Sequence, residues 1–363
     1  MTHLGHIRSW LLVPFFAVLP YGAIAAPVAD AFPVLETPAV VSARASSSAI
    51  LSVAKAGDRL VAVGERGIVL LSDDAGRNWR QIQAPVSVAL TAVQFINKKS
   101  GWAVGHFGIV LHSKDGGETW TKQLDGEQAA ALALKAAEQQ AVLDPEGAAS
   151  ALREANYLIT DGPDKPFLDL LFVNENTGYV IGAYNLIFRT DDAGQTWTSW
   201  QAHVDNPGGM HLYGIHAVGE EIYIVGEQGV LLKADKAGAQ FVALETPYEG
   251  SYFGLVAGQD GDLVVFGLRG NAFRSTDSGL NWARIDIASQ VSISDGVRLA
   301  DGSLALVSQS GQIFIGSGDG LNFKPQPMRQ PLPATSVVEG EDGTVILGSL
   351  RGLMRIDLGS DHK

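Results

Sequence analysis

The side chains best placed to do chemistry fall into three groups. Arg66, Arg269 and Arg351 each precede the last glycine of a five-residue segment: Val-Gly-Glu-Arg-Gly, Phe-Gly-Leu-Arg-Gly and Gly-Ser-Leu-Arg-Gly. Three converging arginines would clamp a carboxylate, as a sialidase-type hydrolase must. Such an enzyme also needs a tyrosine nucleophile with its glutamate, and a general acid. Arginines in turns are more commonly solvated surface, and that reading is preferred here. The second group, His203, Asp205 and His211, is the densest imidazole–carboxylate cluster. It straddles Pro207-Gly208-Gly209 and has no zinc-ligand spacing, so no metal site is expected. The third group is Asp74, Asp115, Asp192 and Asp277, each inside Ser/Thr-x-Asp-x-Gly-x-x-Trp. Asp and Ser side chains in that spacing bind nearby backbone amides and shape a turn, which assigns these carboxylates to structure. The chain has no cysteine, hence no thiolate nucleophile and no disulfide. Neither a phosphate-binding glycine loop nor a Gly-x-Ser-x-Gly elbow is present, and no cofactor is expected.

These residues recur because the segments that carry them recur. The five-residue segments end at Gly67, Gly108, Asn185, Gly229, Gly270, Gly311 and Gly352, with steps of 41, 77, 44, 41, 41 and 41 residues. Twelve residues after each of the first six stands an aromatic: Trp79, Trp120, Trp197, Phe241, Trp282 and Phe323. Each unit reads as four short strands; in the second these are Thr91–Ile96, Trp102–Val104, Ile109–His112 and Trp120–Leu124. Four strands at this period predict a propeller blade, with glycine supplying positive φ at the tight hairpin. The fold class expected is therefore all-β, a seven-bladed β-propeller of Asp-box repeats. The fourth and sixth boxes are worn to Ala234, Lys236, Gly238, Phe241 and to Gly316, Gly318, Gly320, Phe323. The seventh unit stops one residue before its aromatic, and Val34–Ser42 is expected to supply the missing outer strand and close the ring.

The 77-residue step contains an insertion, residues 125–166, between blades two and three. Gly126–Leu143 is rich in Ala, Leu, Gln, Glu and Lys and predicts a helix, while Asp144-Pro145 predicts the cap and first turn of a second helix running to about Tyr157. Propeller geometry sends this helical hairpin to the same face as the hairpin tips. Arg66, Phe107, Tyr184, Gln228, Arg269 and Arg351 are the candidate partner-binding residues on that face, joined by Leu132 and Leu134 of the insertion. The insertion reads equally as a structural addition packed through its alanines.

Lys and Arg total 26 against 39 Asp and Glu, a net charge of −13 that argues against nucleic acid or an anionic membrane surface as main partner. Arg8, the apolar stretch Trp10–Ile24 and Ala23-Ile24-Ala25 predict a secretory signal over residues 1–25, leaving a propeller over 26–363 in the periplasm or another exported location. After cleavage no membrane insertion is expected, and the protein is expected to be a monomer by itself.

The signal, the Val-Gly-x-x-Gly hairpins and the Asp-boxes together resemble the photosystem II stability/assembly factor-like family. The resemblance is clearest from Ala103-Val104-Gly105-His106-Phe107-Gly108 to Trp120 and from Gly178 to Trp197. It implies a non-enzymatic propeller that binds and helps assemble a membrane protein or envelope complex, including accessories of resistance-nodulation-division-type transporters. The photosynthetic members bear an arginine-rich patch, whereas this acidic chain has scattered arginines. The competing readings are a glycan-acting hydrolase of the sialidase type and a carbohydrate-binding propeller using platforms such as Trp200 and Tyr213.

Overall fold

Strands dominate because most segments alternate short Val/Leu/Ile-rich runs with glycine turns. The second strand of each unit has an apolar run through its middle, as in Leu60-Val61-Ala62-Val63, where every residue is buried. Such runs lose the period-two pattern because a neighbouring sheet covers each face. The computed structural model describes Met1 and residues 32–359, apart from positions 236, 259, 318–321, 329 and 342. The expected signal segment beyond Met1 and the worn-box residues Lys236, Gly318 and Gly320 therefore lie outside the described residues.

Val34–Lys363 forms one unit that is mostly β, with seven antiparallel sheets in sequence. Among the described residues six have four strands and the seventh has three, each sheet ordered as a simple meander. The first strands of sheets one to seven are Ile50–Ala56, Leu90–Phe95, Phe167–Phe172, Leu212–Val218, Tyr252–Ala257, Ile293–Arg298 and Ala334–Glu339. Apolar clusters fill the space between consecutive sheets, such as Tyr179, Ile187, Leu212 and Phe241 between sheets three and four. The series closes on itself, since Thr335 Oγ1 of sheet seven donates to Ile50 O of sheet one at 2.7 Å. This is the arrangement of a β-propeller.

A β-bulge falls at the same place in all seven first strands, skipping Leu51, Thr91, Leu168, Tyr213, Phe253, Ser294 and Thr335. Bulges re-aim side chains, and here hydroxyls at these positions join neighbouring sheets. Thr91 Oγ1 donates to Phe167 O at 2.7 Å and Ser294 Oγ to Ala334 O at 2.8 Å. One residue further along, Asp169 accepts the Ile215 N–H at 2.9 Å and Asp295 accepts the Val337 N–H at 2.8 Å.

The complete boxes have the geometry their spacing predicts. Ser72 Oγ accepts the Gly76 N–H at 2.9 Å and donates to Asp74, whose Oδ1 also accepts the Asn78 N–H at 2.8 Å. The Asn78 amides hold the Asp74 carboxyl down to about 2, and the Asn281 side chain and amide do the same for Asp277. Trp79, Trp120 and Trp282 each donate Nε1–H back to the box glycine's carbonyl. The buried Trp197 Nε1 has no such partner. The residue before each box glycine, Ala75, Gly116, Ala193 or Ser278, is left-handed as well.

Two helices, α1 (Gly126–Leu143) and α2 (Ala149–Asp161), lie between sheets two and three. Asp125 caps α1 in a capping box with Gln128. The second helix differs from expectation. Asp144 closes α1, and its Oδ1 accepts the Gly147 N–H across a turn that holds Pro145, so α2 begins at Ala149 and runs four residues past Tyr157. The path of Val34–Ser42 is also corrected. Rather than completing sheet seven, it follows the outer strand of sheet one, with Ala39 N–H on Ala84 O at 3.0 Å and Ser42 N–H on Gln81 at 2.7 Å. Glu36 pairs with Lys122 of sheet two. The residues that meet the start of sheet seven's last strand are instead Ser46 and Ser47, close to Gly352.

Candidate interaction surface

Each hairpin between second and third strands is fastened to the root of its own first strand. The first tip residue donates its N–H to the carbonyl just before that strand: Glu65 to Ala49, His106 to Ala89, Ala183 to Pro166, Glu227 to His211, Leu268 to Ser251, Gln309 to Ser292 and Leu350 to Pro333, all at 2.9–3.2 Å. The seven tips therefore share the end where the first strands begin. In the first five segments the residue before the tip is a glycine that serves close approach in this contact and not positive φ; Ser308 and Ser349 stand there in the last two. Gly64 and Gly105 are extended, and a Cβ on either would stand 2.1 Å from the carbonyl that anchors its tip.

Positive φ falls, as expected, on the trailing glycines such as Gly67, Gly108, Gly229 and Gly270, and also on the tip residues before them that the sequence marked for binding. Arg66, Phe107, Tyr184, Gln228 and Arg269 all lie at φ 52–58°, a region costly for side-chain-bearing residues. Arg351 departs from this set, because its hairpin is a tighter turn in which Ser349 pairs with Gly352 and glycine takes the positive φ. Arg66, Tyr184, Gln228, Arg269 and Arg351 are exposed and Phe107 is half-buried. The side chains of Arg66, Arg269 and Arg351 have no ion-pair partner among the described residues, whereas Arg59, Arg80, Arg189 and Arg274 are all paired with carboxylates.

An aromatic string, unseen in the sequence, joins one tip to the first strands. Tyr184 meets His211 edge-to-face at 4.7 Å, His211 meets Tyr213 at 6.2 Å, and Tyr213 meets Phe253 at 5.5 Å. Lys165 lies 5.9 Å from the Tyr184 ring, and His211 Nδ1 accepts the Tyr184 N–H at 3.2 Å. The string draws on three separate repeats, which no local motif signals. It also divides the expected histidine cluster, for His203 stacks on Trp200 at 4.1 Å while His211 faces Tyr184. No cluster of three or more metal-ligating side chains occurs among the described residues. Trp200 is no open platform either: Arg189 lies 4.8 Å from its ring, and its Nε1 donates to Gly238 O.

The helix pair rises beside this surface. A Cβ on Gly108, in the tip of sheet two, would stand 2.7 Å from Gly126 Cα, so the start of α1 packs directly against that tip. Ala129, Ala133, Ala137 and Ala155 pack into the core shared with Trp102, Phe172 and Trp197. Leu132 and Leu134 are half-buried against the same core, which limits what they offer a partner. The most exposed apolar side chains of the pair are Val142 (83%) and Leu143 (87%) at its far end.

The first strands also carry buried titratable groups. Burial pushes the Asp169 and Asp295 carboxyls up to about 7, with the Asp295 charge adding to the rise at Asp169. Burial also holds the His216 imidazole down to about 4.

The family profile described as photosynthesis system II assembly factor YCF48 matches residues 47–148 and 153–326, roughly three quarters of the chain. The chain belongs to that family. One YCF48-family relative, the photosystem II assembly lipoprotein Ycf48 of Synechococcus sp. (strain CC9902), is 24% identical over 117 residues, covering 32% of this chain and 35% of the relative's length. Among solved structures, YCF48 bound to D1 peptide aligns with 88% of this chain and 95% of its own at 16% identity and a TM-score of 0.63. The GH74 enzyme of Niastella koreensis aligns with 87% of this chain and 53% of its own at 13% identity and a TM-score of 0.61. At such identities the likeness to solved structures is one of fold, and it spans binding proteins and hydrolases alike. No described helix is long and apolar enough to cross a membrane.

Proposed function

We propose that the chain is an exported, non-catalytic binding factor whose seven sheets act as the blades of one ring. Its tip surface holds an extramembranous segment of an integral membrane protein while that protein is assembled or stabilised. The observation that carries this reading is the row of left-handed, side-chain-bearing tips on one surface, beside the Tyr184–His211–Tyr213–Phe253 string. Glycine at those positions would relieve a cost of ~1–2 kcal/mol each, and backbone strain of this kind is retained where a site needs the side chain. Arg66, Arg269 and Arg351 offer unpaired guanidinium groups to carboxylates, while Phe107 and Tyr184 offer aromatic surface. A peptide ligand is supported by the related structure described as YCF48 bound to D1 peptide.

The carboxylates weigh against hydrolysis, which needs an acid and a base or nucleophile across an open cleft. Asp74, Asp115, Asp192 and Asp277 are engaged in their turns. Asp169 and Asp295 bind backbone amides of the next sheet. In this reading residues 1–25 direct export to the periplasm, and 125–166 is an insertion that walls the tip surface and presents Val142 and Leu143 to the client. An envelope complex, such as a resistance-nodulation-division-type transporter, is the class of client proposed.

The test is affinity capture from detergent-solubilised envelope, comparing the intact protein with Arg66→Ala/Tyr184→Ala/Arg269→Ala. The reading expects a membrane protein to be captured by the intact chain and lost with the triple variant. Equal capture by both proteins, or turnover of a glycan by the intact protein, would overturn it.

A further inference from the structure

Sheet seven lacks a fourth strand among the described residues, so its third strand, Gly352–Asp357, presents an open edge. The contrast with the covered sheets is direct. Every residue of Ile68–Ser72 and of Val110–Ser113, the third strands of sheets one and two, is buried beneath a fourth strand. In Gly352–Asp357 only Gly352 is buried; Leu353, Met354, Arg355 and Ile356 are half-exposed and Asp357 is exposed. The Nε of Arg355 is out of solvent yet has no hydrogen-bond partner.

An unpaired edge is a template for another strand, and proteins usually blunt it with proline, a bulge or a covering segment. This strand contains no proline and pairs with Thr344–Ser349 in unbroken register. The described flanking residues run elsewhere. Val34–Ser42 follows the outer strand of sheet one. Beyond Asp357, the Leu358 N–H bonds Gly343 O at 3.2 Å and its side chain is buried in the cluster between sheets six and seven, which turns the chain away from the edge.

We propose that Gly352–Asp357 is a strand-addition site that accepts an extended acidic segment of a partner protein and so completes sheet seven. Charge selects this occupant over a second copy of the chain. Two such edges paired antiparallel about Arg355 would set it against its own copy, and like charges facing across a strand pair are destabilising. An acidic segment instead meets Arg355, the exposed Arg351 at the head of the strand, and the exposed Arg44 ahead of the turn Ala45–Ser47 that packs there. The chain's own fourth strands show which side chains fit. Ile82, Leu124 and Ile285 are the buried residues of strands whose other positions are polar or small and at least half-exposed. The partner segment therefore places one branched aliphatic side chain inward and acidic or polar residues around it. This site is on the rim of sheet seven and stands whether or not the tip surface binds a client.

The test uses the full chain and an acetylated, amidated peptide of sequence Ser-Glu-Thr-Ile-Glu-Val-Thr-Ser, with amide hydrogen exchange read across residues 352–357. Peptide binding is expected to slow exchange in this strand about tenfold, and Arg355→Glu is expected to weaken binding by about the same factor. Tyr184→Ala is expected to leave it unchanged, which separates this site from the tip surface. Three results would overturn the proposal. Exchange in the free monomer could be as slow as in Ile68–Ser72, which would mean that the chain already covers its own edge. It could slow with protein concentration alone, which would make the occupant a second copy. Or the peptide could leave 352–357 unchanged.

Discussion

Replacing three strained tip residues by glycine should make the protein more stable while removing its proposed grip on a client. Arg66, Gln228 and Arg269 are the cleanest sites, being left-handed, exposed, and without side-chain hydrogen bonds or ion pairs to lose. Left-handed backbone costs a side-chain-bearing residue ~1–2 kcal/mol, while glycine returns about 0.5–1 kcal/mol of that through the greater entropy of the unfolded chain. The net gain is about 0.5–1 kcal/mol per site. The tips belong to sheets one, four and five, so the effects should add, giving about 1.5–3 kcal/mol for Arg66→Gly/Gln228→Gly/Arg269→Gly. Urea denaturation should show a higher midpoint at unchanged slope, and thermal unfolding should shift upward by a few degrees. The same variant should lose membrane-protein capture. A triple variant no more stable than the parent would show that the tips are not strained. A stabilised variant with full capture would show that the strain serves something other than binding.

Three further outcomes follow from the packing and the buried charges. Asp169 and Asp295 have folded-state values of about 7 against an ordinary 3.8, so their contribution to stability is fully present below 3.8 and lost as pH rises through 7. Asp169→Asn/Asp295→Asn should accordingly gain stability relative to the parent between pH 4.5 and 7.5 in urea titrations, and parallel curves would refute the assignment. Trp120 donates to Gly117 O at 3.0 Å but Trp197 Nε1 has no partner, so Trp120→Phe should be more destabilising than Trp197→Phe by about 1 kcal/mol in the same assay. Gly105→Ala should cost about 1–3 kcal/mol, because its Cβ meets Ala89 O at 2.1 Å, and an unchanged denaturation midpoint would contradict that contact.

The regular part of the fold was legible because it is written locally and repeatedly. Box and hairpin recur at fixed distance, and each fixes its own turn through neighbours within four residues, as Ser72, Asp74, Gly76 and Asn78 do. What escaped the sequence is non-local. The string from Tyr184 to Phe253 is assembled by sheets three, four and five side by side. Asp169 and Asp295 acquire their character from burial and from amides 46 and 42 residues away. The route of Val34–Ser42 was misread because a short apolar segment near an incomplete repeat suits an outer strand. In the fold the side-chain amides of Gln81 and Gln83 bind its carbonyls along sheet one instead. The positive φ expected of the hairpin glycines is carried by the trailing ones, while the clearance role of Gly64 and Gly105 is visible only in the fold.

These differences bear on where binding can evolve in such a ring. The box side is consumed by its own geometry: the Asp74 and Asp277 carboxylates are held ionised by the turns they close, and a substitution there perturbs the turn first. The tip side is under less of that constraint, since each tip is anchored through its backbone N–H and, at Arg66, Gln228 and Arg269, the following side chain is exposed. Backbone anchoring tolerates Arg, Phe, Tyr or Gln at the same position, which is what the five left-handed tips display. A surface held by main chain and varied by side chain can change its client without changing its fold. On the proposed reading the strain at those tips is kept for the sake of the side chain, since glycine would relieve it.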